Sequence, residues 1–226
     1  MELPAEIQKL ESWIETVVQS RVLITKETHG DDSDVYRVMS ENGNYFLKYK
    51  TDSKRGFSRE KERLDWLQGR LPVPKVLGYK EDGTGFAILL TAVEGENLKV
   101  MSQSWEVDVV IQKLVEALKR FHATDTTGWP FDPADSSKVL VHGDACFPNF
   151  IFKDEEFSGY IDVGDMRLGS IEEDLAAAIW SLQYNCGPGH GPKFLERYGY
   201  VDTRAETVER LRLTYQDSQR QRGFLD

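Results

Sequence analysis

Only two of the 226 residues are cysteine, Cys146 and Cys186. That is too few for a disulfide framework or a four-thiolate zinc site, so stability rests on packing. The four histidines, His29, His122, His142 and His190, do not supply the several ligands that a metal-dependent phosphatase centre needs. Basic residues are outnumbered, 28 Lys and Arg against 38 Asp and Glu, and the formal charge of -10 argues against a nucleic acid partner. There is no run of eighteen apolar residues, and acids interrupt the first twenty positions, unlike a secretion signal. A cytoplasmic chain with no membrane partner is expected. No internal repeat or low-complexity tract occurs. What remains is a 40% hydrophobic content, enough to core one compact domain or two small lobes sharing a cleft.

Along the chain, Ile7, Leu10, Ile14 and Val17 predict an amphipathic helix from Ala5 to Gln19. Residues 35–38 and 45–49 flank Asn42-Gly43, a tight-turn dipeptide, and predict an antiparallel hairpin. A charged helix over 58–67 stops before Gly69 and the Leu71-Pro72-Val73-Pro74 run, and a strand follows over 86–91. Behind Ser104 as cap, Val107, Val110, Ile111, Leu114, Leu118 and Phe121 repeat at helical spacing. A strand at 139–141, a hairpin pairing 150–152 with 157–161, and helices near 173–184, 192–198 and 205–216 complete the reading. Residues 1–93 hold 14 basic and 15 acidic side chains and residues 94–226 hold 14 and 23, so the second part carries almost all the net charge.

The densest polar cluster in an apolar setting is VLVHGDACFPNFIF, with His142, Asp144 and Asn149 on a loop between strands. The following hairpin runs out from Asn149 and returns at Asp162, so both side chains lie near one end of a short ribbon. An amide carbonyl and a carboxylate are hard oxygen ligands suited to magnesium, which commonly takes further oxygens from substrate phosphates. Asp144 then faces whatever attacks or leaves that phosphate. The bland alternative is that Asp144 and Asn149 only brace the loop through side-chain to backbone bonds. Lys48, set in a strand beside Phe46 and Leu47, is followed by helix glutamates Glu60 and Glu62, either of which could hold it for gripping a phosphate. Its bland alternative is an edge-strand lysine in water.

HGDACFPN from His142 to Asn149, IDVG from Ile161 to Gly164 and EDLA from Glu173 to Ala176 resemble the signature of the aminoglycoside phosphotransferases, relatives of protein kinases. The stretch from Phe46 to Leu77 is similar to the corresponding part of the aminoglycoside 3'-phosphotransferases. The resemblance implies an α+β, bilobal protein-kinase-like fold: a small β-rich N-terminal nucleotide-binding lobe with one helix over 1–92, and a mainly helical catalytic and substrate-binding lobe over 93–226. It implies transfer of the γ-phosphate of ATP or GTP, with Mg2+, to a hydroxyl of an aminoglycoside or similar small cationic substrate, and a role in antibiotic resistance. Carried over, Asp144 is the catalytic aspartate and Asn149 and Asp162 are the metal ligands. Lys48, paired with Glu60, binds phosphates under a loop around Gly30 to Asp34, where amides near Ser33 do the cradling. Thr91 to Val93 form a hinge for the purine, and Asp174 and His142 support the catalytic loop.

Departures from the pattern concern the acceptor. Only nineteen residues separate His122 from His142, where the 3'-kinases carry a longer helical insert. Tyr184-Asn185 stands in place of an acidic pair, Asp165 in place of a basic residue, and the tail keeps only Asp217 and Asp226 of an acidic ending. Asp165, Tyr184 and Asp217 are the candidate acceptor residues, with Trp180 or Tyr184 available to stack on a ring or cation. The partner is a small molecule, and no obligate protein partner is evident. Kinases for choline, homoserine or macrolides, and a non-catalytic nucleotide-binding regulator, are the competing readings. A thiol hydrolase built on Cys146 and His142 competes less well, because Cys146 more simply packs as a small buried residue.

Overall fold

The computed structural model describes residues 3–29, 33–51, 56–83, 85–131 and 137–223. They divide into two compact units, Met1–Gln68 with Val73–Ala92, and Gly69–Pro72 with Val93–Asp226. The first unit opens on α1 (Ala5–Gln8) and α2 (Glu11–Val18), so the single helix expected over 5–19 is broken at Lys9-Leu10. The buried stripe is Ile7, Leu10, Ile14 and Val18, with Val17 only partly covered. Five strands follow, β1 (Leu23–His29), β2 (Asp34–Ser40), β3 (Gly43–Lys50), β4 (Val76–Asp82) and β5 (Gly85–Thr91), with α3 (Ser58–Leu67) between β3 and β4. They form one antiparallel sheet in the order β1-β2-β3-β5-β4.

The turn between β2 and β3 is Glu41-Asn42 and not Asn42-Gly43, because Ser40 pairs with Gly43. Gly43, at φ +140, begins the strand, a backbone angle that side chains rarely take. The Asn42 amide is used elsewhere, donating to the carbonyls of Val18 at 3.0 Å and Gln19 at 3.3 Å and so tying the hairpin to the end of α2. Along β3 the pleat sends Tyr45, Leu47 and Tyr49 into the core shared with α1 and α2. Lys48 therefore points to the opposite face, where α3 presents Glu60.

The second unit contains β6 (Glu96–Asn97), α4 (Leu98–Met101), α5 (Val107–His122), β7 (Val139–Val141), β8 (Phe150–Lys153), β9 (Glu156–Tyr160), β10 (Arg167–Gly169), α6 (Ile171–Cys186), α7 (Gly191–Tyr198) and α8 (Ala205–Arg222). The N-cap of α5 is Glu106, not Ser104. The Ser104 hydroxyl is spent on the Met101 carbonyl at 3.3 Å, inside the turn that closes α4. β8 and β9 pair antiparallel across Asp154 and Glu155, both at positive φ, and β6 extends them to three strands. β7 pairs with β10, and Ser170 with Glu173 closes a capping box at the start of α6. α8 runs six residues past the expected end near Gln216 and turns Leu211 and Gln219 inward. Among the described residues no helix is long and apolar enough to cross a membrane.

Candidate active site

The loop from His142 to Asn149 hangs from β7 and is gripped from below by Asp174, on the first turn of α6. Asp174 is fully buried. One of its carboxylate oxygens accepts the His142 amide at 2.7 Å and the His122 ring at 2.9 Å, and the other accepts the Gly143 amide at 2.9 Å. Burial raises the Asp174 pKa, but the hydrogen bond and charge of the His122 ring, with the hydrogen bond from the His142 amide, outweigh it and hold the carboxyl below the usual range. A carboxylate only accepts, so His122 donates through Nε2, leaving Nδ1 to the Tyr198 hydroxyl at 2.7 Å. The His142 ring bridges the loop to the β9 end: Nε2 must donate to the Ile161 carbonyl at 3.0 Å, which leaves Nδ1 to accept the Asp144 amide at 3.4 Å.

Asp144 is half-buried, and both carboxylate oxygens are engaged. Asn149 Nδ2 donates to Oδ2 at 2.9 Å and also to the Asp144 backbone carbonyl, while the Tyr215 hydroxyl donates to Oδ1 at 3.0 Å. Both contacts of Asn149 Nδ2 are pure acceptors, which fixes the amide orientation and turns its carbonyl oxygen away from Asp144. The Ile161 amide bonds the Asn149 carbonyl at 3.1 Å, so Asp162 follows directly beside Asn149 at the end of the β8–β9 ribbon. Asp162 is exposed and lies in the left-handed region at φ 57. Among the described residues no three His, Cys, Asp or Glu side chains cluster as a cage. The oxygen donors that Asn149 and Asp162 bring, an amide carbonyl and a carboxylate, fit a hard cation completed by phosphate and water oxygens and do not fit zinc.

In the first unit, Lys48 Nζ lies 2.6 Å from Glu60 Oε1, with only 14% and 9% of the two side chains exposed. Lys48 pairs in register with Val35 on one side and Ile88 on the other, so its backbone is set by the centre of the sheet. Ser33 immediately precedes β2; Gly30, Asp31 and Asp32 lie outside the described residues. Asp34 faces a cation, Lys26 at 2.9 Å. Of the expected hinge, Thr91 and Ala92 have already committed their amides, to the carbonyls of Lys75 at 3.0 Å and Asn44 at 3.1 Å. Among the described residues Val93 makes no hydrogen bond to another backbone group.

The candidate acceptor residues divide. Asp165 Oδ2 is paired with Arg222 Nη1 at 2.9 Å, so its charge is balanced within the chain. Tyr184 is 72% exposed and stacks on Trp180 at 5.4 Å, and Trp180 in turn lies 5.5 Å from the Tyr215 ring. Asp217 is not brought to the loop. Two residues along a helix is about 200°, so with Tyr215 turned toward Asp144, Asp217 faces outward, where it meets Arg220 at 3.5 Å.

The model of the phosphotransferase enzyme family matches residues 25–133 and 128–213. The chain belongs to this family. A relative from Niallia circulans named aminoglycoside 3'-phosphotransferase is 27% identical, with 84% of this chain and 89% of that protein aligned. Another of the same name from Enterococcus faecalis is 24% identical over 72% of this chain and 81% of its own. Among solved structures, the aminoglycoside phosphotransferase APH(3'')-Id of Streptomyces rimosus superposes with a TM-score of 0.71 at 18% identity, covering 93% of this chain and 96% of that one. Its complex with ADP and streptomycin gives 0.69 at 18% identity, over 90% and 96%. The fold is therefore the kinase-like α+β fold of the aminoglycoside phosphotransferases.

Three residues of this phosphotransferase that hold the loop escaped the sequence reading: Tyr215, His122 and Tyr198. Each acts on a partner more than fifty residues away. His122 did carry a local signal, an imidazole closing an otherwise apolar helix face. Gly143, at φ +84, is required for two reasons. The backbone angle disfavours any side chain, and a Cβ there would collide with the Asp165 carbonyl. Gly143→Ala is expected to cost about 1–3 kcal/mol and to lower turnover by displacing Asp144, checked by chemical denaturation beside steady-state rates.

Proposed function

We propose that this phosphotransferase moves the γ-phosphate of ATP or GTP to a hydroxyl of an aminoglycoside or a similar small cationic acceptor. The observation that carries the reading is the Asp144 carboxylate, held by one donor on each oxygen with acceptor capacity left for a substrate hydroxyl. The bland reading, that Asp144 merely braces its loop, is met by Asp174 and His142, which already brace it. Asp144 accepts the proton of the acceptor hydroxyl or orients that hydroxyl toward phosphorus. Lys48, steadied by Glu60, grips the nucleotide phosphates, and amides near Ser33 cradle them. The Val93 amide serves the purine. Asn149 and Asp162 would hold Mg2+, which when bound neutralises charge on the transferring phosphates. The N-terminal unit thus serves the nucleotide and the second unit the chemistry and the acceptor, with antibiotic resistance as the physiological outcome in a cytoplasmic setting. The names of the relatives, and the ADP and streptomycin bound by the Streptomyces rimosus protein, support the acceptor class.

The acceptor site is poor in free carboxylate. Asp165 is neutralised by Arg222, Asp217 faces outward, and an aromatic stack occupies the position of Tyr184. Each charge-assisted hydrogen bond missing to a ligand ammonium removes about 1.5–3 kcal/mol, or one to two powers of ten in affinity. A coupled nucleotide-turnover assay against aminoglycosides, macrolides, choline and amino alcohols is expected to show transfer to aminoglycosides. The Michaelis constant for kanamycin should exceed that of the Niallia circulans relative assayed beside it by about ten- to a hundredfold. Turnover confined to choline or a macrolide would replace the acceptor class. Nucleotide binding without turnover on any acceptor would make the chain a regulator.

A further inference from the structure

We infer that Tyr215 is a positioning residue for Asp144, its phenol on the inner face of α8 fixing the carboxylate in the orientation that receives the acceptor hydroxyl. The inference rests on the phosphoryl-transfer reading of the loop and deepens it. The Tyr215 hydroxyl lies 3.0 Å from Asp144 Oδ1 and 3.2 Å from Cys146 Sγ. Because the carboxylate only accepts, the phenol proton belongs to the bond with Asp144, and the phenol oxygen is left to accept from the thiol. Burial above all, then the neighbouring Cys146 and the Asp144 carboxylate, push the phenol far up from its ordinary pKa, so it remains a donor. Burial and the Asp144 charge likewise push the Cys146 thiol up, which keeps it an S–H.

With Asn149 Nδ2 on Oδ2 and Tyr215 on Oδ1, the carboxylate plane cannot rotate without breaking a charge-assisted bond. Each oxygen keeps one further lone pair, so the incoming hydroxyl meets a fixed direction and not a rotor. The phenol is itself held from several sides. Leu211 and Gln219, one helical turn before and after it, are buried, and its ring lies 5.5 Å from Trp180 on α6. Two turns on, Arg222 bonds Asp165. α8 thereby reports its seating on α6 directly to the carboxylate that faces the acceptor.

Tyr215→Phe removes one oxygen and keeps the ring against Trp180. We expect kcat for the aminoglycoside acceptor to fall about 10- to 100-fold, the range for a misplaced reacting group, with both Michaelis constants within about twofold of the parent. The same substitution made on Asp144→Asn should cause no further loss of the residual turnover, because the oriented carboxylate is already gone. A packing role would cost the same factor in either background. Wild-type kcat in Tyr215→Phe, a loss expressed in a Michaelis constant, or a full additional loss on Asp144→Asn overturns the inference. A parent protein that transfers phosphate to no acceptor of the panel sinks the phosphotransfer reading itself, and the inference falls with it before any variant is compared.

Discussion

Asp144→Asn is expected to lower kcat by about two to four powers of ten while leaving nucleotide affinity within about twofold. The substitution is nearly isosteric, and the site can absorb it. The new amide keeps one acceptor oxygen for Asn149 Nδ2, and its NH2 can donate to the Tyr215 oxygen, since a hydroxyl turns freely to accept. What is lost is a group able to take the proton of the acceptor hydroxyl. Asp162→Ala should behave differently, because under the proposed assignment it removes one of the two oxygen ligands that would hold the cation against the nucleotide phosphates. Magnesium-dependent nucleotide affinity should fall, and turnover with it. Calorimetric nucleotide titrations with and without Mg2+, run beside steady-state rates, separate the two. Equal losses of binding and turnover in both variants would show that the roles of Asp144 and Asp162 have been misassigned.

How much of this was legible in the sequence depended on distance along the chain. α3 and the α5 stripe could be read because their periodicity is local and their terminators are Gly and Pro. β1 and β4 could not, because both are edge strands, and LITKETH and VLGYKED carry charge where a central strand would carry apolar residues. That Asn149 and Asp162 lie at the same end of the β8–β9 ribbon was readable because one hairpin joins them. The clamp on Asp144 was not, because Tyr215 lies 71 residues away and its meaning is set by how α8 seats on α6. Acidity alone points to Asp217 in the tail, whereas helical phase turns Tyr215 inward. The charge of Asp165 is cancelled by Arg222, 57 residues on, which no local pattern reveals.

Loss of Asp174 should be the costliest change to stability. Asp174→Ala leaves the buried His142 amide and His122 ring, and the half-buried Gly143 amide, without their common acceptor. Each orphaned buried donor costs about 1–3 kcal/mol, and removing one side of a buried charged network typically costs about 3–5 kcal/mol. For a chain of this size that is a fall of roughly 10 °C in melting temperature. The pH dependence gives the sharper check. The folded-state pKa of Asp174 lies below its ordinary 3.8, so the ionised form is favoured by folding. Its contribution is fully present well above pH 4, shrinks as the pH falls below the ordinary value, and is exhausted once the pH passes the depressed folded one. Denaturant midpoints of the parent and of Asp174→Asn, measured from pH 7 to pH 2, should lie furthest apart at neutral pH and draw together in acid. A gap that stays constant or widens on acidification would mean that Asp174 is not the ionised anchor of the loop, and that the three donors around it are held by packing alone.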